Sequence, residues 1–181
     1  PEACMGVAAG DANGDGLLDL FVTNFHNETN TLYQQQPDRT FVDTTVQSQL
    51  DAPSLKQLGF GTQFLDFDLD GDLDLIVTNG HIDDLSDTGT PYEMPTQMFR
   101  NDGTGKFGEV SATVLGEFFQ RPHLGRGLAR LDWNRDGRED LVISHLHEPA
   151  VLLLNETESG HHCLNLQLRG CDSSRDAIGA I

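Results

Sequence analysis

The chain has 181 residues, with 29 Asp and Glu against 11 Lys and Arg, giving a formal net charge of −18. That balance excludes a nucleic-acid binder, because even three bound divalent cations would leave about −12 to repel phosphates. The length suffices for a sizeable core, and no apolar run approaches the ~18 residues of a membrane span. The chain starts at Pro1 part-way into a repeat and stops at Ile181 inside a motif. It therefore reads as a fragment of a larger protein, and the lack of a signal peptide carries no information.

The first element is a short strand-like stretch, MGVAAGD, that runs into the loop DANGDGLLD, Asp11 to Asp19. The same arrangement returns as GFGTQFLD before DFDLDGDLD, Asp66 to Asp74, and as GRGLARLD before DWNRDGRED, Asp132 to Asp140. A glycine stands five residues ahead of each first aspartate, at Gly6, Gly61 and Gly127. Within each loop, oxygen side chains occupy positions one, three, five and nine, and glycine occupies position six.

That spacing suits a hard cation. Ca2+ takes six to eight oxygen ligands, and glycine permits the sharp turn that folds odd-numbered side chains inward. The expected ligands are Asp11, Asn13, Asp15 and Asp19; Asp66, Asp68, Asp70 and Asp74; and Asp132, Asn134, Asp136 and Asp140. Position seven (Leu17, Asp72, Arg138) is expected to offer its backbone carbonyl, which leaves its side chain free to vary. About three ions are predicted, one per loop. An EF-hand opens with similar spacing but needs a glutamate at position twelve, with helices on both sides. Position twelve is Val22, Val77 and Ile143, inside the strand-type runs LFVTN, LIVTN and LVISH. These are strand–loop–strand loops.

Downstream, LYQQQPDRTFVDTT (Leu32 to Thr45) and MFRNDGTGKFGEVS (Met98 to Ser111) each read as strand, turn, strand. The third copy gives VLLLNETESG and then departs. The first aspartates are separated by 55 and 66 residues (66 − 11 and 132 − 66), which suits a four-stranded propeller blade with variable loops. The fold expected is all-β, a propeller fragment of about three four-stranded blades.

The core G-x(4)-D-x-[DN]-x-D-G-x-x-D-[LF] resembles the FG-GAP or VCBS repeat of integrin-type β-propellers. The stretches from Gly80 to Asn101 and RPHLGRGLARLDWNRDGREDLVIS resemble the cartilage acidic protein family and its bacterial relatives. CLNLQLRGCDSSRDAIGAI resembles the opening of an ASPIC/UnbV domain, with Cys163 where such modules usually carry tryptophan. The resemblance implies propeller blades over 1–159 and the start of an ASPIC/UnbV-type module over 160–181. It also implies that strand two of each blade ends on the upper rim, where ligands are contacted.

Seven residues after each ninth-position aspartate stands a histidine: His26, His81 and His147. On that rim they would form an arc. One reading is a transition-metal or anionic-ligand site; the simpler one is that each ring caps its own strand–loop turn. His145 and His147 form an H-x-H pair that would share one strand face, with no third ligand identifiable in the sequence. His161 and His162 are expected in solvent. The long loop from Asn79 to Pro95, with Asp83, Asp84, Asp87 and Tyr92, is a candidate partner-binding loop.

Of the three cysteines, Cys4, Cys163 and Cys171, the last two flank a predicted strand of extended length roughly 26 Å. A disulfide needs Cα atoms within about 7 Å, so this pairing is not expected. The sequons at Asn27 and Asn155 suit a secreted eukaryotic protein.

No G-x-S-x-G elbow, P-loop or dinucleotide turn is present, and protein atoms fill the metal positions, so catalysis at the ions is not expected. The function expected is a calcium-stabilised binding or adhesion module, secreted or in the cell envelope, that takes a protein or glycan ligand. The competing readings are an enzyme acting at the upper face of the complete propeller, and a scaffold for the C-terminal module. Fold class alone does not choose among them.

Overall fold

The computed structural model describes residues 3–158, 168–171 and 175. Its first sheet is a four-stranded antiparallel meander of β1 (Gly6–Gly10), β2 (Asp19–Thr23), β3 (Thr31–Gln35) and β4 (Phe41–Asp43), in that order. The second repeats it with β5 (Gly59–Leu65), β6 (Asp74–Asn79), β8 (Gln97–Asn101) and β9 (Phe107–Glu109). Between β6 and β8, the short strand β7 (Met94–Pro95) pairs with β10 (Pro122–His123), a ribbon outside the blades. The third sheet orders β11 (Gly125–Leu131), β12 (Asp140–His145) and β13 (Val151–Leu153). Helix is confined to the connections, in α1 (Asp51–Ser54), α2 (Ala112–Leu115) and two 3-10 turns, Ser86–Thr88 and Phe118–Gln120.

The architecture is an all-β, propeller-like fragment. Four strands per blade holds for the first two sheets, whereas the third has three strands among the described residues. After β13 the polar run NETESG interrupts the apolar alternation that a fourth strand would need.

The period-two alternation of a strand divides β6 between two cores. Leu75 and Val77 join Phe21, Leu32 and Phe99 in the cluster between the first and second sheets. Ile76 points the other way, into the cluster with Met98, Leu141 and Ile143 between the second and third. All three β6 side chains are fully buried, each burial stabilising the fold by about 1.5–3 kcal/mol. A blade with neighbours on both faces reads as a continuous apolar run, which is why LIV stands unbroken there.

Consecutive blades meet along their first strands, with β1 against β5 and β5 against β11. The glycines ahead of each loop allow this approach. A Cβ at Gly6 would sit 2.1 Å from the Phe60 carbonyl oxygen, and one at Gly61 would sit 2.7 Å from the Leu128 nitrogen. No side chain fits in either place.

Candidate metal centre

Each acidic loop closes the hairpin between the first two strands of its blade. Strand pairing runs up to Gly10–Asp19, Leu65–Asp74 and Leu131–Asp140, so position nine opens strand two and the eight residues before it form the turn.

The first aspartate of each loop folds back over that turn. Asp11 accepts N–H bonds from Gly14 (2.8 Å), Asp15 (3.1 Å) and Gly16 (2.8 Å). Asp66 accepts from Asp70 (3.0 Å) and Gly71 (3.0 Å), and Asp132 from Asp136 (3.0 Å) and Gly137 (3.1 Å). The fifth-position carboxylates accept the N–H of position seven, at 2.8 Å for Leu17, 3.1 Å for Asp72 and 2.9 Å for Arg138. Position six requires its glycine: Gly16, Gly71 and Gly137 have φ of +83°, +97° and +86°.

Position four is left-handed as well, at Gly14 (+74°), Leu69 (+63°) and Arg135 (+61°). For an L-residue that conformation costs about 1–2 kcal/mol, so the second and third loops hold strained backbone where the first has glycine.

The ninth-position aspartates have a second task. Asp19, Asp74 and Asp140 are fully buried. Each bridges position two of its own loop to the end of strand three. Asp19 accepts from the N–H of Ala12 (3.0 Å) and Gln35 (2.9 Å). Asp74 accepts from Phe67 (3.2 Å) and Asn101 (2.8 Å), and Asp140 from Trp133 (2.9 Å) and Asn155 (2.9 Å). Two of these strand-three residues also reach the preceding blade. The Asn101 amide donates to the Ala12 carbonyl (2.8 Å), and the Asn155 amide donates to the Phe67 carbonyl (2.9 Å). The first and second loops are thereby tied at position two to an asparagine at or just past the end of strand three in the next blade. The sequence signal was faint: an asparagine closes both apolar runs, MFRN and LLLN.

The second loop is the most strongly charged. One carboxylate oxygen from each of Asp66, Asp68 and Asp74 lies within 4.8 Å of the others. Asp68 Oδ1 is buried and has no hydrogen-bond partner among the described residues, while its Oδ2 lies 2.6 Å from Arg100 Nε. Burial pushes the Asp74 carboxyl up to about 7, and the charges of Asp68 and Asp70 push the same way. Asp68 is also raised, first by burial and then by Asp70, against the pull of Arg100. Burial raises Asp19 in the first loop despite its two backbone N–H bonds. An orphaned, buried carboxylate oxygen on Asp68, beside Asp66 and Asp74, is a donor set that fits a hard divalent cation.

In the first and third loops an asparagine at position three lowers the charge. Its amide donates to the fifth-position carboxylate, Asn13 to Asp15 at 3.0 Å and Asn134 to Asp136 at 2.8 Å. In the third loop the Arg138 side chain reaches the carbonyls of Asn155 (3.4 Å) and Thr157 (3.1 Å).

The histidines fall into different places. His26 and His81 neighbour one another, with ring centroids 5.9 Å apart, and His26 Nδ1 lies 3.2 Å from the Lys56 carbonyl. His147 is exposed, in a left-handed turn with φ +67°. Because β12 ends at His145, His145 and His147 do not share a strand face as the H-x-H spacing suggested. The ring of His145 instead meets His123, centroids 5.1 Å apart. In the long loop from Asn79 to Pro95, Arg126 fixes the start by donating to the carbonyls of Gly80 (3.2 Å) and His81 (2.8 Å). Cys4 and Cys171 are exposed, whereas Cys163, His161 and His162 lie outside the described residues.

Antiparallel blades, each opened by an acid-lined glycine turn and packed through their first strands, define a repeat of the β-propeller class. The family model of the FG-GAP-like repeat matches residues 11–77 and again 66–143, so the chain belongs to the FG-GAP-like repeat family. It is also similar to cartilage acidic protein 1 of Xenopus tropicalis, 36% identical over 67 residues. That alignment covers 36% of this chain and 10% of the relative, so the chain matches only a small part of that protein's length. No helix among the described residues is long and apolar enough to cross a membrane.

Proposed function

We propose that this chain is part of a calcium-stabilised β-propeller that presents a ligand-binding surface outside the cell or in its envelope, for a protein or glycan. The observation that carries the reading is the buried Asp68 Oδ1, without a partner among the described residues, beside Asp66 and Asp74 in a turn geometry repeated in all three loops. The proposed ligands are the side chains at positions one, three, five and nine, with the carbonyls of Leu17, Asp72 and Arg138. Calcium would neutralise carboxylates that otherwise repel, and by binding the folded state alone it would stabilise that state. Extracellular modules bind Ca2+ at ~10⁻⁴ to 10⁻³ M, a supply met outside the cytosol.

The proposed recognition element is the loop from Asn79 to Pro95. It is anchored at its start by Arg126 and at its end by the β7–β10 ribbon, yet it exposes Asp83, Asp84, Asp87, Ile82 and Leu85. A rigidly held loop with exposed apolar and acidic side chains suits ligand contact. Residues 1–159 are proposed as blades and 160–181 as the start of an ASPIC/UnbV-type module, a reading supported by the motif order in the sequence.

Calorimetric titration with Ca2+, followed by a protein and glycan array probed with and without chelator, tests this. Saturable calcium uptake with calcium-dependent ligand capture is expected. Absence of uptake, or capture unchanged when residues 82–90 are replaced by a Gly/Ser linker, would contradict it.

A further inference from the structure

A second cluster of ligating groups lies away from the acidic loops. His123 ends β10, His145 ends β12, and Glu148 follows in the turn toward β13. One ring nitrogen of each histidine and one oxygen of Glu148 lie within 4.8 Å of one another. We propose that these three residues form a transition-metal site for Zn2+ or an ion of similar preference. The ion would pin the connection through Phe118–His123 to the third blade.

The hydrogen bonds decide which nitrogen of each ring is available. His145 Nδ1 lies 3.1 Å from the Pro149 carbonyl, and a carbonyl only accepts, so Nδ1 carries the proton. That leaves a lone pair on His145 Nε2, which is buried and has no partner among the described residues. His123 Nε2 lies 3.3 Å from the Phe118 carbonyl, to which it donates in the Nε2–H tautomer. Its lone pair then sits on Nδ1, which faces Glu148 Oε2 at 2.9 Å. Two acceptors at that distance repel unless a proton or a metal cation joins them.

A divalent ion satisfies all three groups at once, taking both lone pairs and the carboxylate. Each imidazole would be held from behind by a backbone carbonyl, the outer-shell arrangement that fixes tautomer and ring orientation in metal sites. Phe118 adds an apolar wall, stacked on His123 with centroids 4.4 Å apart and planes inclined by 10°. Two imidazoles and one carboxylate select a borderline ion such as Zn2+ over Ca2+, which prefers oxygen alone. Zinc–ligand distances of about 2.0–2.2 Å place tetrahedral neighbours ~3.3 Å apart, so His123 and Glu148 need separate by only a few tenths of an ångström. The Glu148 side chain is 42% exposed, which leaves the ion open to solvent for a water as fourth ligand.

The alternative is a His123 protonated at Nδ1, neutral or doubly protonated, that donates to Glu148 with no metal. It leaves His145 Nε2 buried and unsatisfied, which is uncommon in folded proteins.

The test is a Zn2+ titration of the intact chain in saturating Ca2+, so that the acidic loops are filled. Binding of one Zn2+ per chain is expected, and Co2+ in its place should show the visible absorption of a tetrahedral site. His145→Asn and Glu148→Gln should each weaken zinc at least about 100-fold while calcium stoichiometry stays the same. Glu148 is exposed, so E148Q reports on the site even if H145N folds poorly. Zinc uptake that is absent, that survives E148Q, or that is lost in Asp68→Asn would overturn the proposal.

Discussion

Arg100 Nε lies 2.6 Å from Asp68 Oδ2, and the same guanidinium reaches Asp70 at 3.0 Å. The second acidic loop, the most highly charged of the three, thus has a cation of the protein leaning on two of its proposed ligands. The Arg100 side chain is 57% exposed, so screening by water limits what this pair contributes to stability. Its larger effect falls on a competing ion.

Arg100→Gln removes that competitor. Calcium affinity at the second loop should rise about threefold to tenfold, and the calcium-free protein should lose no more than about 1 kcal/mol. Paired calcium titrations of wild type and R100Q, with urea melts in chelator, measure both quantities. Unchanged or weaker calcium binding would mean that Arg100 does not oppose the ion.

Position nine and position five should separate cleanly. Asp140→Ala leaves the N–H groups of Trp133 and Asn155 without acceptors beside a fully buried position. It should destabilise the protein by ~3 kcal/mol or more even without calcium. Asp136→Asn, which keeps an acceptor for the Arg138 N–H, should weaken calcium while shifting calcium-free stability by under ~1 kcal/mol. Equal losses for the two variants in chelator would remove the distinction.

Asn101→Ala should loosen a loop 89 residues away in sequence. The amide donates to Ala12 and Leu73, and its oxygen accepts the N–H groups of Gly103 and Gly105. Loss of these partners should destabilise the fold by about 2–3 kcal/mol. Amide exchange should speed up in Gly14–Gly16 as well as in the turn 101–107. Exchange that changes in the second blade alone would show that the inter-blade bond carries no order.

Asp74 predicts an unusual pH dependence. Its folded carboxyl is pushed up to about 7, far above its unfolded value of 3.8, so the folded state holds the proton more tightly. In calcium-free protein this contribution to stability is complete below about pH 4 and is lost as pH rises toward about 7. The loss amounts to a few kcal/mol. Saturating calcium replaces the proton and should flatten the slope. Urea midpoints between pH 5 and 7.5 measure it, and Asp74→Asn should reduce it to the smaller part left by Asp68 and Asp19. A slope identical in D74N would assign the effect to other groups.

Much of this was legible because the informative residues act locally. Asp11, Asp15 and Gly16 meet one another within six residues, so their spacing alone describes the turn. The strands LFVTN, LIVTN and LVISH are legible as apolar, partly β-branched runs, and in LIVTN both neighbouring cores reinforce the pattern. What the sequence concealed depends on packing between blades. Nothing in Leu69 or Arg135 announces a left-handed residue, because the fold imposes that strain; only Gly14 hinted at it. The links from Asn101 to Ala12 and from Asn155 to Phe67 exist only once the blades stack. His145 and His147 looked like partners by spacing, yet the strand stops between them, and the true neighbour of His145 comes from the connection that ends at His123.

Thermal melting of the intact chain in millimolar Ca2+ and again in excess chelator bears on whether ions clamp these hairpins. With three sites filled to about tenfold over their dissociation constants, calcium should raise the midpoint by ~10 °C. Coincident curves, with Asp66→Asn and Asp68→Asn melting like wild type in both, would contradict it.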